Sequence, residues 1–119
     1  MDTENDSIRH LTTQICAFRD ARNWEQFHSP KDLAVAIVAE SGELLQHFVW
    51  QSPEQSKKRL EERKEDIIQE MADIAILLFE FAQVSGVQLG EAIARKLALN
   101  AERYPENKSR GSNLKYNEL

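Results

Sequence analysis

The sequence predicts an all-α, four-helix-bundle-type domain. Apolar residues recur at helical spacing in four stretches, and helix-starting and helix-stopping residues bracket those stretches. No segment shows the two-residue alternation of a half-buried strand, and no internal repeat is present. With 119 residues, 41% of them apolar and 29% charged, the chain fits one small soluble domain. The expected division is a helical core over about 7–104 and a C-terminal tail over 105–119.

The first helix is expected from Ser7 to about Ala21, with Ile8, Leu11, Ile15 and Phe18 on one face. "RNWEQFHSP" breaks that period and reads as a connection holding two aromatics and a histidine. Ser29-Pro30-Lys31-Asp32 supplies an N-cap, a first-turn proline and a first-turn acid, starting a second helix that should run to about Trp50. Ser52-Pro53-Glu54 repeats the signal before a charged segment whose first half reads as a solvated loop or short helix and whose second half leads into the next helix. A third helix follows from about Glu61 to Ser85, stopped by Gly86. The fourth runs from Leu89 to Arg103 and ends before Pro105. The tail "ENKSRGSNLKYNEL" lacks periodicity and is expected to fold only against something else.

Composition narrows the function classes. A net charge of −5 argues against nonspecific nucleic-acid binding, which rests on clustered basic charge. No apolar run approaches the ~20 residues of a membrane span, and "MDTENDSIRH" is too polar for a signal peptide. The single cysteine, Cys16, allows no intrachain disulfide and fits a reducing cytoplasm. A chain this short buries limited surface, and the near-continuous "AVAIVA" and "IAILLFEFA" exceed what one small bundle hides. A homodimer at least is the expected state.

Helical phase singles out four acids. Leu33, Ile37, Leu44 and Phe48 make a core stripe on the second helix, and Glu40 falls in that stripe with Glu43 about 60° round from it. On the third helix, Ile67, Met71, Ile74, Leu78 and Phe81 form the apolar face, with Glu70 on it and Asp73 at its edge. Glu62 and Glu65 share the same spacing but read as solvated. Inward-turned carboxylates repel one another unless a cation neutralises them. Phase alone leaves a metal site and solvated or salt-bridged edge charges equally open. If a metal binds, four hard oxygen donors suit Mg²⁺, with Mn²⁺ possible, better than zinc. Di-iron chemistry would need a histidine three residues after each glutamate. Only His47 stands near, four residues after Glu43. Mg²⁺ in turn suggests a phosphorylated small-molecule substrate.

The motif E-x-x-E (Glu40, Glu43), 26 intervening residues, then E-x-x-D (Glu70, Asp73) resembles the signature of the MazG-like all-α nucleoside triphosphate pyrophosphohydrolases. "RNWEQFHSPKDL", "ESGEL", Trp50, "QEMADI", "ERYP" and "KYNEL" look like the dCTP pyrophosphatase subgroup, over about Ile8 to Leu119. The resemblance implies hydrolysis of a (deoxy)nucleoside triphosphate to the monophosphate and pyrophosphate. It implies Glu40, Glu43, Glu70 and Asp73 as catalytic Mg²⁺ ligands, one of them a candidate general base. It places Trp24, Glu25, Gln26, Phe27, His28 and Trp50 at the nucleotide; an indole offers a flat face to a base. Without it, the aromatics could simply close the bundle ends.

Lys96, Asn100 and Arg103 share one face of the fourth helix, and by resemblance can approach the phosphates. A solvated basic edge is the alternative, and Lys31 is a weaker phosphate candidate. Two pocket positions depart from the subgroup: Ile15 stands where a histidine is common, and Leu77 where a tyrosine is. The competing functions are a noncatalytic helical module binding nucleotides or a protein, and a structural oligomer whose acids pair with Lys57, Lys58 or Arg63.

Overall fold

The computed structural model describes residues 7–119. Residues 1–6, which carry most of the polar N-terminus used to argue against a signal peptide, lie outside the described residues. The helices are α1 (Ile8–Ala21), α2 (Pro30–Gln46), α3 (Pro53–Glu62), α4 (Lys64–Val84), α5 (Leu89–Arg103) and α6 (Glu106–Ser109). Short 3₁₀ turns cover Glu25–Phe27 and Tyr116–Glu118, and the described residues contain no strand. The all-α expectation holds. No helix among the described residues is long and apolar enough to cross a membrane. The chain divides into two compact units, one ending at Val87 and the other Gln88–Leu119.

In the first unit α4 is the central helix, packed by α1, α2 and α3. The helix starts follow the sequence closely. Ser7 Oγ accepts from the His10 N–H at 3.0 Å, and Ser29 Oγ accepts from the Asp32 N–H at 3.1 Å. Such caps satisfy amide groups that a helix start otherwise leaves unpaired. Ser52 goes further, forming a reciprocal capping box with Gln55. The apolar core is small: Leu33 and Ile67 are each 2% exposed, and Ala82 joins them.

Two helix bounds differ from expectation. The second helix ends at Gln46 rather than near Trp50. There the His47 and Phe48 N–H groups bond three residues back, to Leu44 and Leu45, tightening the last turn. Arg59 Nε then donates to the His47 carbonyl at 3.1 Å, and Trp50 turns the chain at φ +64°. The expected third helix is α4, which begins at Lys64 rather than about Glu61, and the charged segment before it takes its short-helix alternative as α3. Arg63, at φ −118° and ψ 30°, is the one residue between them. No glycine or proline marks that break in the sequence. At the other end Gly86 supplies the expected positive φ, +69°, and the Val87 N–H returns to the Ala82 carbonyl at 2.9 Å.

The second unit holds α5 with its expected bounds, but its tail is more ordered than the sequence suggests. It forms α6 and the terminal 3₁₀ turn, and Tyr116 packs edge-on against Tyr104, with ring centroids 6.1 Å apart.

Many large apolar side chains of the chain remain exposed, including Val35, Val38, Leu45 and Met71. The expected α4 face divides: Ile67 is buried, Ile74 and Phe81 are half-buried, and Met71 and Leu78 are exposed.

Candidate active site

Pairing of α2 with α4 brings the four acids into mutual electrostatic reach. Glu40 and Glu70 are half-buried, while Glu43 and Asp73 are exposed. Glu40 is the electrostatic centre. Its Oε2 is buried without a hydrogen-bond partner. Burial raises the pKa of its carboxyl, and the charge of Glu43, a side-chain hydrogen bond with Glu43, and the charges of Asp73 and Glu70 add to that rise. Glu70 is contacted instead by His47, whose Nε2 meets Glu70 Oε2. The described residues hold no group of three His, Cys, Asp or Glu side chains converged as a metal cage. The orphaned Glu40 oxygen and the all-oxygen donor set nevertheless fit a hard divalent cation. None of the four acids pairs with Lys57, Lys58 or Arg63 among the described residues; Arg63 bridges to Asp66.

The aromatic connection between α1 and α2 forms a distinct cluster. Trp24 stacks edge-to-face on Phe18, with centroids 5.9 Å apart, and the Arg22 guanidinium lies 3.6 Å from the Phe18 ring centroid. Glu25, Gln26 and Phe27 make the 3₁₀ turn and are exposed. His28 Nδ1 donates to Glu80 Oε2 at 2.6 Å, so only its Nε2 is free of that bond. Trp50, in the α2–α3 turn, is 95% exposed. Leu77 is half-buried, one turn beyond Asp73 on α4. Beside these, Leu11, Gln14, Ile15 and Phe18 of α1 face Ala72, Ala75, Ile76 and Phe79 of α4 across a groove of about 490 Å³.

Lys96, Asn100 and Arg103 lie on α5 in the second unit. Lys96 is exposed and Asn100 half-buried. Arg103 holds its guanidinium 4.8 Å from the centroid of the Tyr116 ring.

The MazG-like family model matches residues 35–119, which include all four acids, the whole of α4 and α2 from its sixth residue onward. The chain belongs to the MazG-like family. This MazG-like chain is 38% identical over 116 residues to dCTP pyrophosphatase 1 of Rattus norvegicus, across 96% of its own length. It is 37% identical, over the same share, to dCTP pyrophosphatase 1 of Homo sapiens. The chain spans 66% of the length of each of those two relatives. Its fold is similar to a crystal structure of a pyrophosphatase from Archaeoglobus fulgidus, with TM-score 0.79 and 37% identity. That similarity covers 82% of this chain and 92% of the archaeal one.

Two residues of this MazG-like chain escaped the sequence reading. Arg19 and Glu80 are 4% and 3% exposed, the buried charged groups among the described residues. Glu80 lay hidden inside the apolar run "IAILLFEFA". A lone acid within such a run was the available signal, because an acid there needs a partner.

Proposed function

We propose that this MazG-like chain is a Mg²⁺-dependent nucleoside triphosphate pyrophosphohydrolase acting in nucleotide-pool housecleaning. It would take dCTP among other deoxynucleoside triphosphates to the monophosphate and pyrophosphate. The reaction adds one water across the anhydride between the α- and β-phosphates. The observation that carries the reading is the buried, partnerless Glu40 oxygen among three further carboxylates. The names of the relatives and of the archaeal neighbour support the same chemistry.

In this reading Glu40, Glu43, Glu70 and Asp73 hold the cation, and one of them takes the proton from the attacking water. Bound Mg²⁺ supplies charge neutralisation for the triphosphate and a water of lowered pKa. Trp24 and Trp50 offer ring faces to the base, while Glu25, Gln26, Phe27 and His28 shape its edge and Leu77 walls the pocket. Lys96, Asn100 and Arg103 serve the phosphates. We read 1–119 as one family domain, supported by a family match that runs through both compact units. It would act in the cytoplasm as a homodimer or homotetramer, without nucleic-acid or membrane partners. The single cysteine and the exposed apolar side chains support this setting.

The deciding experiment is pyrophosphate release from a panel of nucleoside triphosphates, with Mg²⁺ and with chelator. Release that needs Mg²⁺ is expected. Tight nucleotide binding without release would favour the noncatalytic module instead.

A further inference from the structure

The connection between α1 and α2 has few bonds of its own, yet it is tied down at both ends. At its start the Trp24 N–H donates to the Arg19 carbonyl at 3.1 Å. Asn23 donates to the Asp20 carbonyl at 3.0 Å and turns the chain at φ +56°. At its end His28 Nδ1 donates to Glu80 Oε2 at 2.6 Å. Arg19 Nη1 lies 3.4 Å from that same oxygen and donates to Gln83 Oε1 at 3.0 Å. Arg19 Nε donates to Asp20 at 2.9 Å, and its Nη2 lies 3.7 Å from Glu25 in the 3₁₀ turn. Both ends of the aromatic connection therefore meet at one ion pair, Arg19–Glu80, whose members are almost fully buried.

A buried ion pair is a weak source of stability, since desolvation offsets much of the attraction. Its effect here is geometric. Glu80 follows Asp73 by seven residues, which on a helix means nearly the same face, about 10 Å along the axis. We propose that Glu80, with Arg19, is a positioning residue that fixes the Trp24-bearing connection relative to the acids of α4. It does so through His28, and thereby sets nucleotide affinity. The role in affinity rests on the proposed function; the anchoring itself does not.

The test uses the full chain with Trp50→Phe, which leaves Trp24 as the sole tryptophan. Two quantities are measured: acrylamide quenching of Trp24 without nucleotide, and KM and kcat for dCTP with Mg²⁺. His28→Leu removes a bond to a buried carboxylate and should raise KM about tenfold with kcat nearly kept. Glu80→Gln replaces a charge-assisted bond with a neutral one and should raise KM about fivefold. Both should increase Trp24 quenching. The double variant should be no worse than His28→Leu alone, because Glu80 acts through His28. His28→Asn, which keeps a donor at the Nδ1 position, should restore most of the loss. A folded Glu80→Gln with the quenching and KM of the Trp50→Phe parent would overturn the proposal, as would effects that simply multiply. Should Glu80→Gln fail to fold, Glu80→Asp retains the charge but withdraws the carboxylate, and is read the same way. If no nucleotide is hydrolysed, the functional reading fails, while Trp24 quenching still decides the anchor.

Discussion

His47, at the C-terminal end of α2, meets Glu70 of α4 through imidazole Nε2 and carboxylate Oε2. One of the four acids thus has a partner of its own, whereas the buried oxygen of Glu40 has none. Competition for Glu70 follows: a cation drawing on that carboxylate must share it with His47.

His47→Ala should therefore bind Mg²⁺ about tenfold more tightly, equivalent to about 1.4 kcal/mol of extra stabilisation by the ion. Melting curves with Mg²⁺ and with chelator measure it. An unchanged Mg²⁺ increment would show that His47 does not compete.

Glu40 carries a pH signature. Its raised pKa means that the folded chain holds this proton more tightly than the unfolded chain does. The stabilisation is complete below the ordinary glutamate value and is lost as pH rises through the raised one. In chelator, the melting temperature should fall across that window. Glu40→Gln should remove that part of the slope and melt higher than wild type at neutral pH. The same variant, and Asp73→Asn, should lower Mg²⁺-dependent hydrolysis by about a hundredfold or more. Full activity in both would remove the four-carboxylate site.

Trp50 is almost wholly exposed, so Trp50→Ala should change stability by no more than about 0.5 kcal/mol. A lost base stack of about 1–3 kcal/mol should instead appear in KM, by roughly tenfold, with kcat kept. A variant losing kcat at unchanged KM would place Trp50 elsewhere in the reaction.

Assembly should be visible in solution. Val38 is 72% exposed and Leu45 61%, on the helix that carries Glu40 and Glu43. Light scattering at micromolar concentration should give at least a dimer mass. A strictly monomeric, fully active chain would contradict this.

Base selection should be broad. Ile15 lines an apolar groove and Leu77 is half-buried, so neither offers a hydrogen bond to a base edge. Stacking tolerates different bases, whereas polar edge contacts discriminate strongly. Activity is expected on dCTP and at least one other deoxynucleoside triphosphate, with ribonucleotides poorer. A thousandfold preference for dCTP over every other would reveal a polar reader of cytosine.

The helix starts were the most legible feature, because Ser29-Pro30 and Ser52-Pro53 write their caps into adjacent residues. The placement of Glu40 on the α2–α4 side was legible for a similar reason: the 3.6-residue period alone assigns it a face. The stop at Gln46 was not, since it depends on Arg59 reaching back twelve residues to a carbonyl. Nor was the His28–Glu80–Arg19 junction, whose members lie 52 and 61 residues apart in the chain. Periodicity reports which side of a helix a residue occupies, not which distant side chain meets it there.

The alignment of Asp73 and Glu80 along α4 bears on how such a chain can change length in evolution. One residue inserted between them would turn the two ends of the helix about 100° apart and slide them by about 1.5 Å. The carboxylates would then face one direction and the anchor another. Insertions and deletions are expected to be excluded from 73–80, which should keep constant length.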